Sequence, residues 1–175
     1  MEFHMQKNSS INTVIKYWLP VILIAGIIFY SSATPYEKQD IRPEISHMKF
    51  LYDMMEHFDF VHFNYAGEEV SIKSLGVPGF TEFFIRKLSH FTIYLLLAFF
   101  SIRLSRLYFK RYYLVGILIA AIYSMGDEFH QSFTAGRTPL VQDVVIDCIG
   151  AMVGACLYYL INKRHNARVQ KTIRV

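Results

Sequence analysis

The 175-residue chain has two cysteines, one tryptophan and few charges, with only 18% of its residues being Asp, Glu, Lys or Arg. Each shortage removes a class of protein. Cys148 and Cys156 stand eight positions apart, about 12 Å along a helix, which is too far for a mutual disulfide. No Cys-x-x-Cys or zinc-type spacing occurs anywhere, so the two cysteines read as small apolar packing residues. No internal repeat or low-complexity tract is present, and the chain reads as one domain over residues 5–175. Basic residues outnumber acidic ones by 18 to 14. They do not interleave with aromatics on an ordered face, which argues against nucleic acid as a partner.

What is abundant is apolar surface: 53% of the residues are hydrophobic and 16% aromatic. This composition points to a membrane protein. A hydrocarbon core takes about 20 helical residues, and four segments can supply that length. They run from Thr13 to Ser32, Phe83 to Leu104, Tyr112 to Gln131 and Leu140 to Ile161. The expected fold is therefore all-α and polytopic, with four transmembrane helices. Tyr17, Trp18 and Tyr30 suit the interfaces of the first span, and Tyr112 and Tyr113 anchor the boundary of the third. Lys7 and Lys16 ahead of an apolar run resemble a secretory signal, but the run is long and further spans follow, so an uncleaved helix is expected. Glu2-Phe3-His4-Met5 reads as two adjacent restriction sites, which makes residues 1–4 a cloning scar and Met5 the native start.

Lys and Arg collect in the short loop after the second span (Arg103, Arg106, Lys110, Arg111) and in the tail (Lys163, Arg164, Arg168, Lys171, Arg174). By the positive-inside rule both termini are cytoplasmic. Ser31 to Arg86, with nine acidic against five basic residues, lies outside. That segment is too long for a plain connection. Met48, Leu51, Met55 and Phe58 recur at helical steps, so Glu44 to Phe58 is expected to be an amphipathic helix. Phe60 to Tyr65 and Val70 to Ile72 flank Ala66-Gly67-Glu68-Glu69 as a small hairpin. Thr81, after Pro78 and Gly79, is a cap for the second span.

Within the apolar segments the remaining charges are costly and need a reason. Lys87, His90 and Tyr94 share one helix face at steps of three and four. Asp127, Glu128 and Gln131 cluster at the end of the third span. Asp143, Asp147, Gly150 and Gly154 make one stripe on the fourth, and the Gly-x-x-x-Gly pair lets another helix approach closely. In the return between these spans, Gly136 permits a special backbone angle and Pro139 can open the next helix. Arg137 is thereby expected among Asp127, Glu128 and Asp143, where its fork could hold two carboxylates ionised. All of these fall on one side of the membrane. His130 is read as incidental.

The order Lys87-x-x-His90-Phe91-x-x-Tyr94, Asp127-Glu128-x-x-Gln131-x-Phe133, Gly136-Arg137, Asp143 and the paired glycines resembles the VanZ-like family over roughly Phe83 to Leu160. Two departures stand out: Ala135 replaces a common proline, and Asp147 a common asparagine. The resemblance implies a multi-pass protein of the bacterial cytoplasmic membrane. Some members lower susceptibility to teicoplanin-type lipoglycopeptides without altered peptidoglycan precursors.

Three mechanisms are open. In the favoured one, Lys87, His90, Tyr94, Asp127, Glu128, Gln131, Arg137, Asp143 and Asp147 form an outward, non-enzymatic site. It would bind an envelope lipid head group or a lipoglycopeptide antibiotic, with membrane lipids as partners. In the second, Glu128 or His90 serves as acid or base and Asp127 orients it, making an intramembrane enzyme. In the third, the carboxylates change protonation in a small transporter or flippase. A structural network fastening the helices is the bland reading of the same residues. The sequence calls for no cofactor. It assigns no metal, although His90, Asp127 and Glu128 carry suitable ligand atoms. A homo-oligomer is left open.

Overall fold

The computed structural model describes residues 11–173, and the scar expected at residues 1–4 lies outside them. Helix α1 (Ile11–Ala33) opens in a π-helical stretch, Val14–Trp18, and continues as an α-helix over Leu19–Ala33. Pro20 explains the irregular start. It has no N–H for the carbonyl four residues back, and a widened turn relieves the clash of its ring.

The amphipathic helix expected from Glu44 to Phe58 is instead broken into α2 (Arg42–Ser46), α3 (Lys49–Met55) and a 3-10 turn at Glu56–Phe58. His47 and Met48 interrupt the ladder, and the exposed Met48, Met54 and Phe58 form no continuous buried stripe. The hairpin is tighter than expected. β1 (His62–Tyr65) and β2 (Glu68–Ser71) are antiparallel, pairing Tyr65 with Glu68 across a two-residue turn. Ala66 (φ 55°) and Gly67 (φ 92°) both take positive φ, as a type I′ turn requires.

Helix α4 (Ile72–Ser105) starts eleven residues before the second expected span. Its cap is Ser71 rather than Thr81: the Ser71 hydroxyl accepts from the Ser74 N–H at 3.0 Å, and Ser74 reciprocates. Gly76 (φ 66°, ψ 169°) kinks the first turn just ahead of Pro78, after which residues 77–105 run as one helix. Helix α5 (Tyr112–Gln131) has the bounds expected of the third span. The last helix, α6 (Val141–Ile173), is longer than expected and continues past the apolar run into the polar Asn162, Lys163 and Arg164.

Among the described residues, three helices are long and apolar enough to cross a membrane: α1, α4 and α6. Helix α5 is not among them, since its final turns carry Asp127, Glu128, His130 and Gln131. The outward surface nevertheless reads as lipid-facing along every helix, with Ile22, Leu88, Leu118, Ile122, Ile149 and Leu157 exposed.

Helix α4 is central, packing most extensively on α6 and then on α5, while α1 lies against α4 and α5. Only 11% of the α1 apolar window is buried, which makes it a peripheral element. Small residues fill the centre. Ala98, Ala120, Ala151 and Ala155 are buried with Leu97 and Ile102, as expected where packing rather than water exclusion joins helices.

The α4–α6 crossing is closest at Gly150 and Gly154. A Cβ on either would strike a backbone carbonyl oxygen of α4, that of Phe91 or of Leu95. Backbone cannot swing aside as a side chain can. Gly150→Leu or Gly154→Leu is therefore expected to cost about 3 kcal/mol or more, read as a lowered unfolding temperature in detergent. Gly126→Ala, where nothing lies within 4 Å, should leave that temperature unchanged.

Candidate functional site

The polar side chains meet around the loop joining α5 to α6, drawn from α4, α5 and the first turns of α6. Asp143 Oδ1 receives both Lys87 Nζ and the Tyr65 hydroxyl, each at 2.5 Å. The Lys87 ammonium also sits over the rings of Tyr65 and Phe83, at 4.6 and 5.3 Å from their centroids. Burial, reinforced by Asp143, pushes the Tyr65 phenol well above its usual pKa, so it remains a donor.

One helical turn deeper, Asp147 is 1% exposed. Its Oδ2 accepts from the Ser124 hydroxyl at 2.6 Å, and its Oδ1 lies 3.3 Å from His90 Nδ1. The extra charge that distinguishes this position is thus met by two polar partners. Glu128 Oε2 accepts the backbone N–H of Leu140 at 2.8 Å, at the N-terminus of α6, where a helix favours negative charge. Gln131 bridges the neighbouring carboxylates, donating to Asp127 at 3.0 Å and to Glu128 at 3.4 Å. Tyr94 is fully buried. Its hydroxyl approaches Asp127 but makes no hydrogen bond of standard geometry among the described residues.

Arg137 does not join this cluster as a carboxylate fork. Its Nη2 donates to the carbonyls of Ser31 (3.2 Å) and Thr34 (3.5 Å), and to the Gln39 side chain. The loop folds back beneath α1, where Arg137 meets the carbonyl end of that helix. Its Nε is buried without a partner among the described residues, and burial lowers its pKa. His130 also stands apart, within 3.1 Å of the Ser32 hydroxyl and stacked on Phe29.

Several participants carry no motif signal. Tyr65 reaches Asp143 only because the hairpin folds over α4. Ser124 lies three residues before Asp127, a helical step that could have marked it. Glu82 anchors a second network, taking the Tyr36 hydroxyl at 2.9 Å and Arg86 Nε at 3.0 Å. Arg42 and Arg86 lie over the Tyr36 ring. This network ties the segment between α1 and α4, through Tyr36 and Arg42, to Glu82 and Arg86 of α4.

A cleft of about 200 Å³ opens beside the cluster. Its walls combine polar side chains, among them His90, Asp127, Gln131 and Arg137, with Ile27, Ile28 and Ile93.

Fold and site together define a helical membrane protein that concentrates ionisable side chains at one end of its bundle. The family model described as VanZ/LLP1 matches residues 17–162, and the chain belongs to that family. The match reaches well upstream of the motifs at Lys87 and His90, taking in α1 and the hairpin that carries Tyr65. No curated protein and no solved structure matches the chain.

The Lys87–Asp143 pair gives a direct test of how the cluster is held. Lys87→Met strands a buried carboxylate and should cost about 3–5 kcal/mol. The double change Lys87→Met with Asp143→Leu should recover much of that. Denaturant unfolding in detergent measures these two and the Asp143→Leu single change, and a double loss equal to the two single losses added together would show that the residues are not energetically coupled.

Proposed function

We propose that this protein is a non-enzymatic binding protein of the bacterial cytoplasmic membrane. It holds the anionic head group of an envelope lipid, or the polar part of a lipid-tailed glycopeptide, in the cleft beside Arg137. The observation that carries this reading is the buried Nε of Arg137, without a partner among the described residues, beside a cleft lined by both polar side chains and isoleucines. A guanidinium with a free donor suits phosphate or carboxylate, and the isoleucines suit an acyl chain. Lys87, His90, Tyr94, Asp127, Glu128, Gln131, Asp143 and Asp147 fix the helices around that cleft and set its polarity.

In this reading α5 completes four spans. Its polar last turn is tolerated because Asp127, Glu128 and Gln131 face the bundle rather than lipid, each being buried. The basic loop and tail support a cytoplasmic position for both termini, and in that orientation the cleft opens toward the outer leaflet. Sequestering a target lipid, or the drug itself, there would lower susceptibility to teicoplanin-type antibiotics.

The test is the lipid that accompanies the full-length protein through purification in mild detergent, identified by mass spectrometry. Arg137→Ala should retain markedly less of it, and Arg137→Lys an intermediate amount, with unfolding temperatures measured alongside. Equal retention in all three proteins would overturn the assignment. An intramembrane enzyme using Glu128 or His90 as acid or base makes the opposite prediction: the retained lipid would be converted over time, and Glu128→Gln would stop the conversion without releasing the lipid. In cells, expression of the chain should raise the inhibitory concentration of teicoplanin, and Arg137→Ala at equal membrane abundance should abolish the rise.

A further inference from the structure

His90 from α4, Glu128 from α5 and Asp147 from α6 bring one ligand atom each to a common point, all three within 4.8 Å of one another. The three helices of the bundle core converge here. We infer that these residues form a binding site for a divalent transition-metal ion of the zinc class.

Four observations carry the assignment. The donor set is one imidazole and two carboxylates, a borderline nitrogen and two hard oxygens, which suits Zn²⁺ or Mn²⁺ rather than a thiolate-seeking ion. The 3.3 Å between His90 Nδ1 and Asp147 Oδ1 is about the edge of a tetrahedron whose metal–ligand bonds are about 2.0 Å. An ion can therefore replace the shared proton without moving either side chain far. Outer hydrogen bonds already orient the carboxylates: Ser124 fixes the second oxygen of Asp147, and the Leu140 N–H and Gln131 hold Glu128, the support that metal ligands need. Finally, the buried Tyr94 hydroxyl has no hydrogen bond of standard geometry among the described residues and lies in the field of Asp127 and Asp147. It is placed to bond a metal-bound water.

Charge balance agrees. Lys87 serves Asp143, leaving Asp127, Glu128 and Asp147 beside His90, an excess of buried carboxylate that a dication would offset. Three protein ligands leave a fourth position for water or for an oxygen of a ligand in the adjoining cleft, which His90 also lines. The site does not require that ligand. It goes beyond the head-group reading and can fail separately from it.

The experiment uses full-length protein in detergent, stripped with chelator and titrated with Zn²⁺ alone, with Mn²⁺ alone and with Co²⁺ as a spectroscopic probe. One ion per chain should bind, the unfolding temperature should rise, and Co²⁺ should give the intense visible bands of a four-coordinate nitrogen and oxygen site. Glu128→Gln and Asp147→Asn keep shape and most hydrogen bonds, and each should weaken binding by more than about 10-fold. His130→Gln, outside the site, should bind as the parent does. If the unaltered protein takes up no ion saturably, or if these variants bind as tightly as the parent, the site does not exist. Retention of the same lipid by metal-free protein would then leave the head-group reading standing, whereas metal uptake with no Arg137-dependent lipid would do the reverse.

Discussion

The carbonyl oxygens of Phe91 and Leu95 on α4 occupy the space that side chains would fill if α6 carried anything but glycine at positions 150 and 154. That approach sets the distance between the two helices, and the polar network depends on it. Asp147 and Asp143 lie three and seven residues before Gly150 on the same face, so they are delivered to His90 and Lys87 by the same crossing. Held farther apart, the 3.3 Å and 2.5 Å contacts would open, and the buried carboxylates would lose their basic partners. Small residues at the crossing and charged ones above it are thus two parts of one arrangement. In lipid there is no hydrophobic drive to join helices, so close backbone packing and polar bonds must do so together.

Polarity is separated along the bundle. The centre holds alanines, Leu97 and Ile102, while ionisable groups collect beside the loop between α5 and α6. The loop itself is occupied at both ends. Leu140 gives its N–H to Glu128, and Arg137 satisfies carbonyls at the end of α1. Helix α1 buries little apolar surface, so these bonds, with Thr134 to the Ser32 carbonyl and Tyr123 to the Ala25 carbonyl, tie it to the others. The cleft beside Arg137 forms along this lightly packed seam.

The segment between α1 and α4 acts as a cover rather than a tether. Its hairpin lays Tyr65 and Phe63 on Phe83 and Phe84, and the Tyr65 hydroxyl reaches into the cluster from outside the bundle. Glu82, Arg86 and Tyr36 fasten the other end. Family membership over residues 17–162 includes this cover.

Apolar length and helical period, both local properties of the chain, were enough to place α5 from Tyr112 to Gln131, to put Asp143, Asp147, Gly150 and Gly154 on one stripe, and to group Lys87, His90 and Tyr94. The broken Glu44 to Phe58 stretch misled because its period of apolar residues matched a helix, whereas only Leu51 and Met55 of that set are half-buried and Met48 and Phe58 stay exposed. Which partner each charge takes was not legible. Arg137 stands close in sequence to three carboxylates, yet it bonds the end of α1 because the loop folds that way. Lys87 takes Asp143, 56 residues away, and His90 takes Asp147. Side-chain spacing along one helix is set by the backbone period, which the chain carries in itself. The pairing of helices, and with it every contact at the site, is set by how closely the backbones pack, which only the tertiary structure decides.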